Sequence, residues 1–270
     1  MFPDSYRSGR ASRLITFPAC RRRLLHISIA RTGCLKMVRG FGLAAVLLLL
    51  ACSNDDDTGV YAERPQFVSM KASDWHFRFS PGMPASPVAV EHGWTFAFPS
   101  TTKVCPGAQC PSVHYVVTPS PLLHVGQKVT MIGQVTASDN AVFNHLIEGT
   151  DNNTAGGMPS TCRLFLQEAG DNLFGRGAYE YYRWWARADE NGIILRNGPF
   201  ATVVALRPGD WVSVGGRAGD ESAETQAGFA NALANVAFVG FTCGGGYSYG
   251  HGVNMESGTG TFTVIAFDVR

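Results

Sequence analysis

Nine residues, YEYYRWWAR at 179–187, carry five aromatic rings and two guanidinium groups. Flat rings beside polar groups recognise sugars: the ring meets the C–H face of a pyranose while its neighbours bond the hydroxyls. On an extended strand Tyr181, Arg183, Trp185 and Arg187 share one face, and Glu180, Tyr182, Trp184 and Ala186 share the other. Both faces are aromatic, whereas a half-buried strand keeps one polar face. Either protein covers both faces, or Tyr181, Arg183 and Trp185 form an exposed ligand surface.

A second candidate is FTCGGGYSYGHGVN at 241–254, in which Tyr247, Tyr249 and His251 alternate among glycines. Glycine lets a backbone approach a ligand closely, so this reads as a binding loop at one rim of the fold. The competing reading is a tight strand connection that covers the sheet end. No GK[ST] follows, which excludes a phosphate loop.

Support for catalysis is thin. Glycoside cleavage needs two carboxylates across a cleft, and Glu168, Asp171, Glu180, Asp189 and Asp210 are scattered acids of the kind any domain carries. There is no HExxH pair. The loop EGTDNNTAGGMPST offers Glu148, Asp151, Asn152 and Asn153 as oxygen ligands, without EF-hand spacing. Structural calcium is the one cofactor it could take, and a plain solvated loop is the alternative. No other metal or cofactor is expected.

The elements that must position these residues are strands. Short runs rich in Val, Phe, Tyr, Thr and Trp, such as KVTMIGQVT, CRLFLQE, ATVVAL and TGTFTVIAFDV, alternate with Gly, Pro, Asn and Asp. Asn191-Gly192 between YEYYRWWAR and GIILR predicts a hairpin. One segment, DESAETQAGFANALAN, predicts a helix around 222–235 with Ser222 as N-cap. The fold class is all-β: an antiparallel, jelly-roll-like sandwich with one short helix. Among the cysteines, Cys105 and Cys110 in CPGAQC suit a local disulfide. Cys162 and Cys243 sit in strand-like segments and either pair across a sheet or remain buried thiols.

Charge divides the chain. Residues 1–51 hold 9 Lys and Arg against 1 acid, leaving 13 against 20 in 52–270. The acidic body has no basic cluster, which disfavours nucleic acid as a partner. Within the basic leader, MVRGFGLAAVLLLLACSN at 37–54 has the charged, apolar and small-residue order of a secretory signal peptide. Translation is expected to start at Met37, with 1–36 a gene-model extension.

The ending LLAC resembles the lipobox of bacterial lipoproteins. The resemblance implies cleavage before Cys52, lipidation (palmitate) of Cys52, and a membrane partner reached through that anchor. Ser53, with no Asp directly after the cysteine, implies outer-membrane retention. Residues 37–51 are then signal peptide, 52–62 a polar tether, and 63–270 the sandwich domain. The order LFLQEAGDN, YEYYRWWA, ATVVALRPGDWVSVGG, NALANVAFVGFTCGGGYSYGHGV, GTFTVIAFDV resembles the jelly-roll carbohydrate-binding-like domains of secreted bacterial proteins. This implies an envelope lipoprotein that binds glycan rather than an enzyme. The alternatives are a structural or assembly lipoprotein, and a glycan hydrolase or lyase.

Overall fold

The sequence KVTMIGQVTA shows how the sheets form. Val129, Met131 and Val135 turn inward while Lys128, Ile132 and Gln134 face solvent, the period of two that a half-buried strand requires. In a computed structural model the described residues are 66–101, 110–145, 159–173, 177–187, 191–245 and 250–270. They fall within one unit, Val60–Arg270.

The strands are β1 (His76–Arg78), β2 (Val88–Val90), β3 (Gly93–Ala97), β4 (Tyr115–Pro119), β5 (Lys128–Ala137), β6 (Val142–His145) and β7 (Ser160–Glu168). They continue with β8 (Arg183–Ala186), β9 (Ile193–Ile194), β10 (Gly198–Ala205), β11 (Trp211–Ser213), β12 (Val236–Gly245), β13 (Val253–Ser257) and β14 (Gly260–Val269). One sheet has the order β1-β4-β12-β7-β8-β11, with β9 also on β7; the other is β10-β5-β14-β3-β2; β13 and β6 form a ribbon. Every strand pair among the described residues is antiparallel. The all-β sandwich expected from the sequence is present.

One aromatic core joins the two sheets. Trp94 of β3 stacks on Phe241 of β12 at 6.2 Å, and Phe241 stacks on Phe262 of β14 at 5.1 Å. All three are fully buried. Each such side chain contributes about 1.5–3 kcal/mol relative to its exposed state.

The helix α1 (Ala223–Ala234) lies where the sequence places it. Ser222 caps it: its hydroxyl accepts from Thr225 N at 3.2 Å, and Thr225 Oγ1 accepts from Ser222 N at 2.9 Å. The buried Phe229 meets Trp184 edge-on at 5.1 Å.

Two local expectations change. YEYYRWWAR is not one strand. Gly177–Tyr179 is a 3-10 turn, and Glu180 N and Tyr182 N bond to Gly177 O and Tyr179 O. Those i→i+3 bonds occupy donors that a ladder would need, so the strand starts at Arg183. The Asn-Gly hairpin also does not form: β8 and β9 do not pair with each other but lie in sequence along the same edge of β7, at Phe165–Gln167 and Thr161–Cys162. Of the cysteine expectations, Cys162 and Cys243 form a disulfide at directly paired positions of β7 and β12, with Cα atoms 4.1 Å apart. Cys110 is buried. Its expected partner Cys105 lies outside the described residues, as does Cys52.

Candidate functional site

Because β8 begins at Arg183, its alternation sends Trp184 and Ala186 into the main core and Arg183 and Trp185 to the opposite face of the sheet. That face is covered. Trp185 is 3% exposed and packs with Tyr115, Val117, Phe165 and Val212, under Leu173. Its indole N–H donates to Thr242 Oγ1 at 3.0 Å. Arg183 is 5% exposed and lies 3.2 Å from the Asp171 carboxylate. Asp171 also accepts from Gln167 Nε2 at 2.8 Å, and Gln167 Oε1 accepts from Arg78 at 3.0 Å. Arg78 in turn sits 4.7 Å over the Phe238 ring. Burial pushes the nearby Tyr115 hydroxyl up in pKa, and Arg183 opposes the shift. Arg183 and Trp185 are thus interior residues, and the exposed platform they were expected to share with Tyr181 is not formed. The cause is non-local: Asp171 and Leu173, on the turn leaving β7, lie over the sheet.

Tyr181 goes elsewhere because it precedes the strand. It is half-buried and stacks at 6.0 Å on Trp184. Its hydroxyl accepts from Arg217 at 2.6 Å. Arg217 also meets Glu221 and Glu224, each at 3.2 Å. A Cβ on Gly228 would stand 2.5 Å from the Tyr181 ring, so glycine is what lets α1 approach Tyr181. Tyr181 therefore ties the helix to the sheet.

At the rim His251 is half-buried; Tyr247 and Tyr249 lie outside the described residues. Here the structure shows what sequence reading missed. His114 Nδ1 donates to Gly250 O at 3.0 Å, since a carbonyl can only accept, and Nε2 stands 2.7 Å from Ser112 Oγ. The spacing Ser112-Val113-His114 is the period-two signal that could have found the pair. A serine beside an imidazole is the geometry of an activated nucleophile. Ser112 is 0% exposed, however, and its hydroxyl also lies 2.8 Å from Cys110 O. No substrate carbonyl can reach it. Burial holds the His114 pKa down to about 4, so the ring is neutral and serves as a tie between loops. A second such tie joins His145 Nδ1 to Ser160 Oγ at 3.3 Å.

An open site lies beside β9 and β10. A cleft of about 330 Å³ is lined by Asn191, Ile194, Arg196, Asn197, Phe200, Thr202 and their neighbours. Ile194 is 46% exposed, while Phe200 packs on Phe262 at 4.7 Å and forms a firm floor. Asn197 Oδ1 accepts from Ala137 N at 3.1 Å, which orients its amide and leaves Nδ2 as a donor. Arg196 is exposed and makes no hydrogen bond or ion pair with a described residue. The described lining residues include no carboxylate, so they offer donors and apolar surface for binding but no general acid for glycoside cleavage.

Among the described residues no group of three His, Cys, Asp or Glu side chains is placed to hold a metal ion. Glu148, Asp151, Asn152 and Asn153 lie outside the described residues. No described helix is long and apolar enough to cross a membrane. No protein-family model, no curated protein and no solved structure matches the chain.

Proposed function

We propose that the chain is a lipoprotein of the bacterial outer membrane, anchored through Cys52, whose sandwich binds carbohydrate in the cleft beside β9 and β10. The observation that carries the reading is the cleft's composition. The exposed Ile194 and the ring of Phe200 supply apolar surface for a sugar's C–H face, and Arg196, which pairs with no described residue, supplies donors for its oxygens together with the oriented Asn197 amide. The interior placement of Arg183 and Trp185 moves the proposed site away from the aromatic run.

A glycan array probed with the full-length chain in detergent tests this, repeated with Arg196→Ala and Ile194→Asp. Binding to one glycan class that both variants lose supports the reading. An array with no binding overturns it and leaves a structural or assembly lipoprotein, the reading that the sealed aromatic face favours.

A further inference from the structure

Strand β10 ends its sheet. It pairs with β5 along one edge, and no described strand pairs with the other. Hydrogen bonds at both margins fix which residues face the open side. Leu206 donates to Gln127 O at 2.7 Å and accepts from Gly126 N at 3.1 Å. Lys128 exchanges bonds with Arg270 on the β14 side, at 2.6 and 3.1 Å. By alternation Gly198, Phe200, Thr202 and Val204 direct their backbone groups to β5, and Pro199, Ala201, Val203 and Ala205 direct theirs outward.

Those outward groups have an unusual pattern. Ala201 and Val203 each present an N–H and a C=O that make no hydrogen bond to a described residue. Ala205 presents its N–H, but its carbonyl is already taken by Trp211 Nε1 at 2.8 Å and Arg207 N at 2.9 Å. Pro199 presents a carbonyl and has no N–H. The strand GPFATVVA carries no charge. Val203 is 52% exposed, and Ile132, paired with Ala201, is 41% exposed. Lysines and bulges that usually guard an edge are missing, with only the proline at its start.

We propose that β10 pairs antiparallel with β10 of a second copy, about a two-fold axis at Thr202, to join two sheets into one. Ala201 of each chain then exchanges two backbone bonds with Val203 of the other. Pro199 faces Ala205, whose N–H donates to the Pro199 carbonyl. The donor absent at Pro199 falls opposite the acceptor already occupied at Ala205, so this register leaves no backbone group at the edge in conflict. An arbitrary extended peptide has no need of such a match, which is why the second copy is the occupant. The strand is uncharged, so self-pairing sets no like charges against each other, and the isologous patch closes on itself as a dimer.

Native mass spectrometry of the full-length chain released from detergent tests the pairing. The wild type gives a dimer. Ala201→Pro removes an open-edge donor and no bond to β5, so it leaves the circular dichroism spectrum unchanged and raises the dimer Kd by about tenfold or more. A double variant, Ala201→Cys with Val203→Cys, cross-links between chains on oxidation, and peptide mapping finds residue 201 joined to residue 203. A wild type that is monomeric at every concentration overturns the proposal. So does a dimer that Ala201→Pro leaves intact, or a cross-link map with another register.

Discussion

Asp171 and Arg183 meet at 3.2 Å on the covered face of the β1-β4-β12-β7-β8-β11 sheet, with side chains 0% and 7% exposed. The pair fixes the turn leaving β7 over Phe165 and Trp185. Removing one member leaves a buried charge without its counter-ion. Asp171→Ala is therefore expected to lower unfolding free energy by about 3–5 kcal/mol, whereas Asp171→Leu with Arg183→Met restores much of it. Urea denaturation of the full chain measures both. Equal losses in single and double variants would refute the pairing as the cause.

The Gly228 contact with Tyr181 predicts a second loss. Gly228→Ala sets a methyl 2.5 Å from the ring, which is expected to cost about 1–3 kcal/mol despite alanine's better helix propensity. Combining it with Tyr181→Ala removes the clash. Thermal melts of the two singles and the double form a cycle, and additivity would show that the ring is not what the methyl meets.

The Cys162–Cys243 disulfide closes a separation of 81 residues. Cys162→Ala with Cys243→Ala is expected to lower stability by about 2–4 kcal/mol, an effect attributed mainly to the unfolded chain. Denaturation with and without reductant measures it: the wild type responds to reductant, and the variant does not.

His114 sets an acid limit. Its folded pKa is lowered to about 4 from the ordinary 6.5, with burial the largest cause. The unfolded chain then takes up the proton first, so the stability tied to the neutral ring is full above pH 6.5 and is lost as pH falls toward 4. The shift corresponds to about 3 kcal/mol. Replacing His114 with Gln is expected to flatten the stability curve between those limits, and denaturation midpoints across that range would show it.

Much of this architecture was legible in the chain. The alternation in KVTMIGQVTA gives β5, Ser222 and the alanine-rich run give α1, and the strand-like settings of Cys162 and Cys243 already offered a cross-sheet disulfide. The site was less legible. Alternation places Tyr181 beside Trp185 only if the strand reaches back past Arg183, and the bonds from Gly177 O and Tyr179 O stop it there. Whether Trp185 meets solvent depends on Asp171 and Leu173, which no local pattern places over the sheet. The cleft brings Val135 of β5 against Asn191–Thr202, a juxtaposition set by topology. The period-two pair Ser112 and His114 was visible, but its meaning rests on burial.

The most direct measurement is calorimetric titration of the full-length chain with the array's best glycan, run beside Arg196→Ala and His251→Ala. Binding that weakens at least tenfold with Arg196→Ala, and is unchanged with His251→Ala, places the sugar in the cleft. Loss with His251→Ala alone would place it at the rim and contradict the account, and no heat with any chain would remove the carbohydrate function itself.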